Sequence, residues 1–234
     1  MKRFETPHYI FHYGAGTLAE AHIQAIAGEQ EACYAYICQV LGVALNCKIS
    51  YFLCDSPEEV GRIYGDNDPC NGFCVMPDKI YAVYNDKVKC IGFHEDAHII
   101  SYSICRPNCP ALREGLAMYF DRKWWGIHNM DWTAYYLRTG AYVPVHTLLD
   151  RETFFSLNCE LTYPIMGAFT DYLIATYGME SYKRIYQQGD IAAAMEAVYG
   201  QSSQQLNDAF VSYVRLFRLD EAVASRMETL LSEN

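Results

Sequence analysis

His94, Glu95 and His98, in the order His-Glu-x-x-His, have the types and the spacing to do chemistry. On a helix, residues four apart share a face about one turn apart, so the two imidazoles can offer ring nitrogens to one metal ion. Glu95 adjoins the first histidine and faces the same pocket, where its carboxylate can take a proton from a water at that ion. The flanking Phe93, Ala97, Ile99 and Ile100 suit a buried helix, and the helix must end before Pro107. Without a metal, three ionisable groups set among Phe and Ile would each need a buried partner, which is costly. The pattern therefore predicts two zinc-ligating histidines and a general base for hydrolysis.

A catalytic zinc needs a third protein ligand and an open fourth position. A ligand supplied from just beyond the same helix, as in metzincins, would require glycine at position 101 and histidine at 104, where this chain has Ser101 and Ile104. The next candidate lies in Pro110-Ala-Leu-Arg-Glu-Gly-Leu-Ala-Met-Tyr-Phe120. Pro110 suits a first helical turn, and Leu112, Leu116, Met118, Tyr119 and Phe120 supply apolar surface. Glu114 is the only carboxylate in that run, and Gly115 beside it lets another backbone come close. His128 is a rival third ligand in a stretch read as irregular.

His94-Glu95-x-x-His98 followed by Glu114-Gly-Leu-Ala-x-Tyr119 resembles the gluzincin metallopeptidases, in particular the peptidase MA-like families. Tyr163-Pro-Ile-Met-Gly-Ala-Phe-Thr-Asp-Tyr-Leu-Ile-Ala-Thr-Tyr-Gly178 is similar to the tyrosine-containing helix that follows in those families. The likeness runs from about residue 90 to 220 and is only architectural before that. It implies an α+β zincin, a thermolysin-like catalytic domain with a small mixed N-terminal sheet and a helical C-terminal lobe. It implies one Zn2+ on His94, His98 and Glu114. It also implies peptide-bond hydrolysis through a zinc-bound water with Glu95 as general base, and Tyr163 as hydrogen-bond donor to the oxyanion. Tyr119 is expected to pack. In related zincins the edge strand of the sheet pairs with an extended substrate, which points to residues 72–76 or 79–84. Gly72-Phe-Cys-Val-Met76 lacks the acid of the Gly-x-Met-Glu-Asn signature that binds a free N-terminus in aminopeptidases. Two other readings stand beside the peptidase: a zinc-binding gluzincin-fold module without peptidase activity, and a metal-independent helical interaction protein.

The elements that must position these residues follow from pattern. Residues 8–13 and 48–54 read as strands. Thr17 to Leu41 reads as a long helix ended by Gly42, and Ser56-Pro57 as a capped helix start. Residues 65–69 form a loop, and 72–76 and 79–84 are strands joined by Pro77-Asp78. Trp124, Trp125 and Trp132 either line a cleft or pack between helices. Asp131 is expected to cap a helix from Trp132 to Thr139, and 142–150, with His146, to be extended and then turn. From Tyr163 the chain reads as helical: Pro164 in a first turn, Gly178 at the end, then 179–188, an Asp190-capped 191–199, and a Ser202/Gln205 capping box opening a helix to about Leu219. Residues 220–234 extend that helical layer. The organisation expected is an α/β lobe over 1–89 and a helical lobe over 90–234 that carries the ligand helices, the two forming one catalytic unit with its cleft at the junction.

The chain has 234 residues, 51% of them hydrophobic, enough for a sizeable core. A net charge of −10 argues against nucleic acid or an anionic membrane surface as partner, and the gluzincin resemblance implies a peptide or protein substrate. The start has no apolar signal region, and no run is long and apolar enough to span a membrane. The expectation is a cytoplasmic protein whose ten cysteines are reduced thiols. Cys70/Cys74 and Cys105/Cys109 have a spacing that a second, structural zinc can use, but read more simply as loop cysteines.

Overall fold

Alternating apolar residues build a five-stranded sheet in the N-terminal part of the chain. The computed structural model describes residues 1–233. Its strands are β1 (Lys2–Glu5), β2 (Tyr9–Tyr13), β3 (Ile49–Cys54), β4 (Gly72–Val75) and β5 (Lys79–Val83). The order across the sheet is β1-β2-β3-β5-β4. The sheet is mixed: β2, β3 and β5 are parallel, while β1 and β4 are antiparallel edges. β4, not β5, is therefore the edge of the 72–83 hairpin.

The register sorts the side chains onto two faces. Tyr9, Phe11, Tyr13, Ile49, Tyr51, Leu53, Ile80 and Ala82 share one face and are all buried. On the other face, rings on four adjacent strands lie in a row. His12 stacks on Phe52 (centroids 4.5 Å apart), Phe52 on Tyr81 (4.6 Å) and Tyr81 on Phe73 (5.0 Å). Each pair is directly cross-strand, the geometry in which aromatic contacts add to sheet stability.

Three helices complete this unit. α1 (Leu18–Leu41) starts where Thr17 accepts the Glu20 amide and stops at Gly42 in the left-handed region (φ 65°). It presents Ile26, Gln30, Cys33, Ile37 and Leu41 to the core. α2 (Pro57–Tyr64) is capped by Ser56 and packs Val60 on Cys54 and Val83, on the face that carries the ring row. α3 (His94–Ser101) follows the loop after β5 and ends well before Pro107.

From α4 onward the chain is helical apart from one small hairpin. α4 (Pro110–Asp121) is followed by β6 (Lys123–Trp124) and β7 (Ile127–His128), then α5 (Asn129–Thr139), α6 (Val145–Leu148) and α7 (Arg151–Ser156). Next come α8 (Cys159–Tyr177), α9 (Met179–Tyr186), α10 (Ile191–Tyr199), α11 (Ser203–Val214) and α12 (Glu221–Glu233). Asp190 and the Ser202/Gln205 box cap α10 and α11 as expected. Two compact units result, Met1–Ile104 and Cys105–Asn234.

Several boundaries differ from the sequence reading, each for a physical reason. β1 is an additional edge strand whose charged Lys2, Arg3 and Glu5 hide any alternation. The stretch read as irregular around His128 is the β6–β7 hairpin, turning on Trp125 (φ 49°) and Gly126 (φ 75°). α5 begins at Asn129, so Asp131 lies in its first turn rather than at its cap. α8 begins at Cys159, which places Pro164 inside it. Pro164 has no N–H for the Glu160 carbonyl, and the Tyr136 hydroxyl donates to that carbonyl instead at 2.8 Å. The tryptophans pack together: Trp132 is fully buried and its indole N–H donates to the Trp124 carbonyl at 2.9 Å. Among the described residues no helix is long and apolar enough to cross a membrane, and none of the ten cysteines is joined in a disulfide.

Candidate metal centre

The eight residues of α3 carry both histidines and Glu95. His94 and His98 stand one turn apart, with ring centroids 5.0 Å apart and planes at 85°. His98 is 6% exposed, while His94 and Glu95 are half-buried. The Tyr102 hydroxyl reaches Nδ1 of His98 at 3.5 Å.

The start of α3 has no local cap. Phe93, at the N-cap position, makes no side-chain hydrogen bond to the helix. Gln30 of α1 holds the preceding turn from a distance. Its Oε1 accepts the Gly92 amide at 2.7 Å, and its Nε2 donates to the Gly92 carbonyl at 3.0 Å and to Asp96 Oδ2 at 2.9 Å. The Tyr9 hydroxyl also meets Asp96 Oδ2 and the Gln30 carbonyl. Burial pushes the Asp96 carboxyl well above the usual carboxylate range; the nearby Glu95 charge adds to this, and the hydrogen bonds from Tyr9 and Gln30 oppose it.

Glu95 sits by the edge strand. Its Oε1 is 3.7 Å from the place a β-carbon on Gly72 would occupy, and Cys90 Sγ is 2.9 Å from the same point. The Cys70 thiol donates to the Gly72 carbonyl at 3.2 Å. Burial pushes that thiol up, and the Glu95 charge adds a smaller push.

Glu114 lies in the second turn of α4, half-buried among Ala111, Leu112, Gly115 and Leu116, which are all buried. Gly115 is where α4 meets α8: a β-carbon there would lie 2.6 Å from Thr170 Oγ1 and 3.0 Å from the Met166 carbonyl oxygen. A donor atom from each of His94, His98 and Glu114 lies within 4.8 Å of the other two. Among the described residues these three are the group of His, Cys and carboxylate side chains that can hold a metal ion. The set fits a divalent ion in its chemistry, two imidazole nitrogens and one carboxylate oxygen, a composition found in three-ligand zinc sites. His128, at the exposed end of β7, is not part of this group, nor are the cysteine pairs.

Tyr163 lies in the second turn of α8, its ring stacked on Phe154 (6.1 Å) and edge-on to Trp124 (5.7 Å). Tyr119 is buried under the Arg122 guanidinium, 4.3 Å from its ring centre.

Gln30 and Asp96 escaped the sequence reading. The signal for Gln30 was present: it occupies a core-facing place between Ile26 and Cys33 in the apolar stripe of α1, where a polar side chain requires a buried partner. No protein-family profile matches the chain, and no curated protein matches it.

Proposed function

We propose that the chain is a zinc-dependent peptidase of gluzincin type, a zincin in fold, acting in the cytoplasm on peptide or protein substrates. The observation that carries this reading is the convergence of His94, His98 and Glu114 donor atoms within 4.8 Å, with Glu95 on the same helix as the histidines. A zinc ion held by these three residues would supply Lewis-acid polarisation of a carbonyl and acidify a water. With the Tyr102 hydroxyl at Nδ1, His98 would present Nε2 to the ion.

Glu95 is assigned the proton transfers. Its carboxylate takes a proton from the attacking water and returns it to the leaving amine, so no net proton is consumed at the residue. Tyr163 is assigned a hydrogen bond to the carbonyl oxygen as negative charge develops there. β4 suits an extended peptide, because it is a sheet edge that starts beside Glu95.

The deciding experiment incubates zinc-loaded protein with a mixed library of free and N-blocked peptides, wild type against Glu95→Gln. Cleavage by the wild type alone is expected. A fully loaded wild type that cuts no peptide would favour the binding module over the peptidase. Unchanged zinc content in His94→Ala would remove the metal site on which both depend.

A further inference from the structure

We infer that Gln30 is a positioning residue for the metal centre: it sets where α3 begins and thereby how His94 and His98 present their nitrogens. This rests on the metal reading above and extends it to a residue on another helix. A helix start normally relies on a nearby side chain to accept its first amides, and α3 has none from Phe93. The turn before it passes through Gly92 at φ 118°, a conformation that only glycine adopts readily. Such a turn has neighbouring alternatives, and each would rotate the first helical residue, His94.

Gln30 removes that freedom. Fully buried, it spends both faces of its amide on the turn, accepting from the Gly92 N–H and donating to the Gly92 carbonyl. Its second N–H goes to Asp96, two residues after His94 and two before His98. The amide thus fixes the helix by its entry turn and by its first turn at once. Neither a carboxylate nor an aliphatic side chain could do both, since the site needs an acceptor and two donors in one plane. Partners behind the first ligands hold ring orientation in metal sites generally, and losing one typically costs ~10–100-fold in metal affinity.

The test uses cobalt(II) as probe on the full chain, with affinity measured by chelator competition and geometry by the visible d–d absorption. Gln30→Met keeps length and burial and deletes all three hydrogen bonds. It is expected to bind cobalt roughly 10–100-fold more weakly, with an altered d–d band. Val60→Ala is the control for mere loss of stability, since Val60 packs on Cys54 and Val83 on the opposite face of the sheet. It should lower Tm while leaving affinity and band as in the wild type. Wild-type affinity and band in Gln30→Met would overturn the inference, as would equal changes in Val60→Ala. Should Gln30→Met fail to fold, Gly92→Ala perturbs the same turn where an added β-carbon meets nothing within 4 Å. It should weaken cobalt binding in the same way, and wild-type affinity there would equally overturn the inference. His94→Ala in the same assay separates the two readings. If it abolishes binding while the Gln30 and Gly92 variants bind normally, only the positioning role fails; if it binds normally, the metal site itself is rejected.

Discussion

Gly115 of α4 lies so close to Thr170 of α8 that a β-carbon on it would stand 2.6 Å from the threonine Oγ1. The Met166 carbonyl, 3.0 Å away, is backbone and cannot swing aside. Gly115→Ala should therefore force the helices apart and destabilise the chain by about 1–3 kcal/mol, despite alanine's better helix propensity. Chemical denaturation reads this directly. Thr170→Ala/Gly115→Ala removes one of the two clashes and should recover part of the loss.

Glu95→Gln separates chemistry from metal binding. The substitution keeps the side chain's size and removes the proposed base, and Glu95 is not among the three residues whose donor atoms converge to where a metal ion could be held. Zinc content should stay near wild type, while turnover falls at least ~10²–10⁴-fold. Tyr163→Phe deletes one hydrogen-bond donor and should cost roughly 10²–10³-fold, also with zinc retained. Single-turnover rates on a peptide found in the library screen, paired with metal analysis, check both. Loss of zinc in Glu95→Gln would contradict the division of roles.

Pro164 and Tyr136 form a coupled pair. Removing the hydroxyl in Tyr136→Phe leaves the Glu160 carbonyl without the donor that replaces the missing proline N–H. A loss of about 1–3 kcal/mol is expected. In a Pro164→Ala background the helix supplies its own N–H, so the same change should cost much less. A double-mutant cycle measures the difference, and additive effects would show that the hydroxyl does not compensate for the proline.

Acid should loosen the sheet through His12. Burial beside Phe52, with a smaller contribution from the Arg3 charge, holds this imidazole below its ordinary value of 6.5. The folded chain then binds fewer protons than the unfolded chain between the lowered value and 6.5. The associated stability is fully present above 6.5 and declines as pH falls through that window. His12→Phe keeps a ring in the row and cannot titrate. The Tm of this variant should drop less than that of wild type between about pH 7.5 and pH 5.5. Parallel Tm curves would rule out His12 as the sensor.

Much of this architecture was legible in the chain because its signals are local. Thr17 and Gly42 bound α1, Ser56 opens α2, Asp190 and Gly200 bound α10, and Ser202 with Gln205 boxes α11. The His94/Glu95/His98 spacing is likewise local, and Glu114 stood out as a carboxylate in an apolar helix. What the chain concealed depends on partners distant in sequence. α8 extends five residues before Pro164 with Tyr136 supplying the hydrogen bond that the proline cannot. The β6–β7 turn places Trp125 in a conformation that tryptophan seldom adopts. α11 stops at Val214, short of Leu219, with no glycine to announce its end. Gln30 reads as a flaw in an apolar stripe until Gly92 and Asp96 are brought to it.

The row of rings from His12 through Phe52 and Tyr81 to Phe73 also acts as a vernier for the strand that begins at Gly72. Sliding β4 by one residue would swing Phe73 to the opposite face and leave Tyr81 without its neighbour. Sliding it by two would set Phe73 against a different cross-strand residue and break the stack just as surely. The alignment of an edge strand, normally the least constrained in a sheet, is thus indexed to β2, three strands away in the sheet order. Gly72 and Glu95 are brought side by side on one face by aromatic stacking on the other, so loosening the rings would shift that edge strand against the helix that carries Glu95.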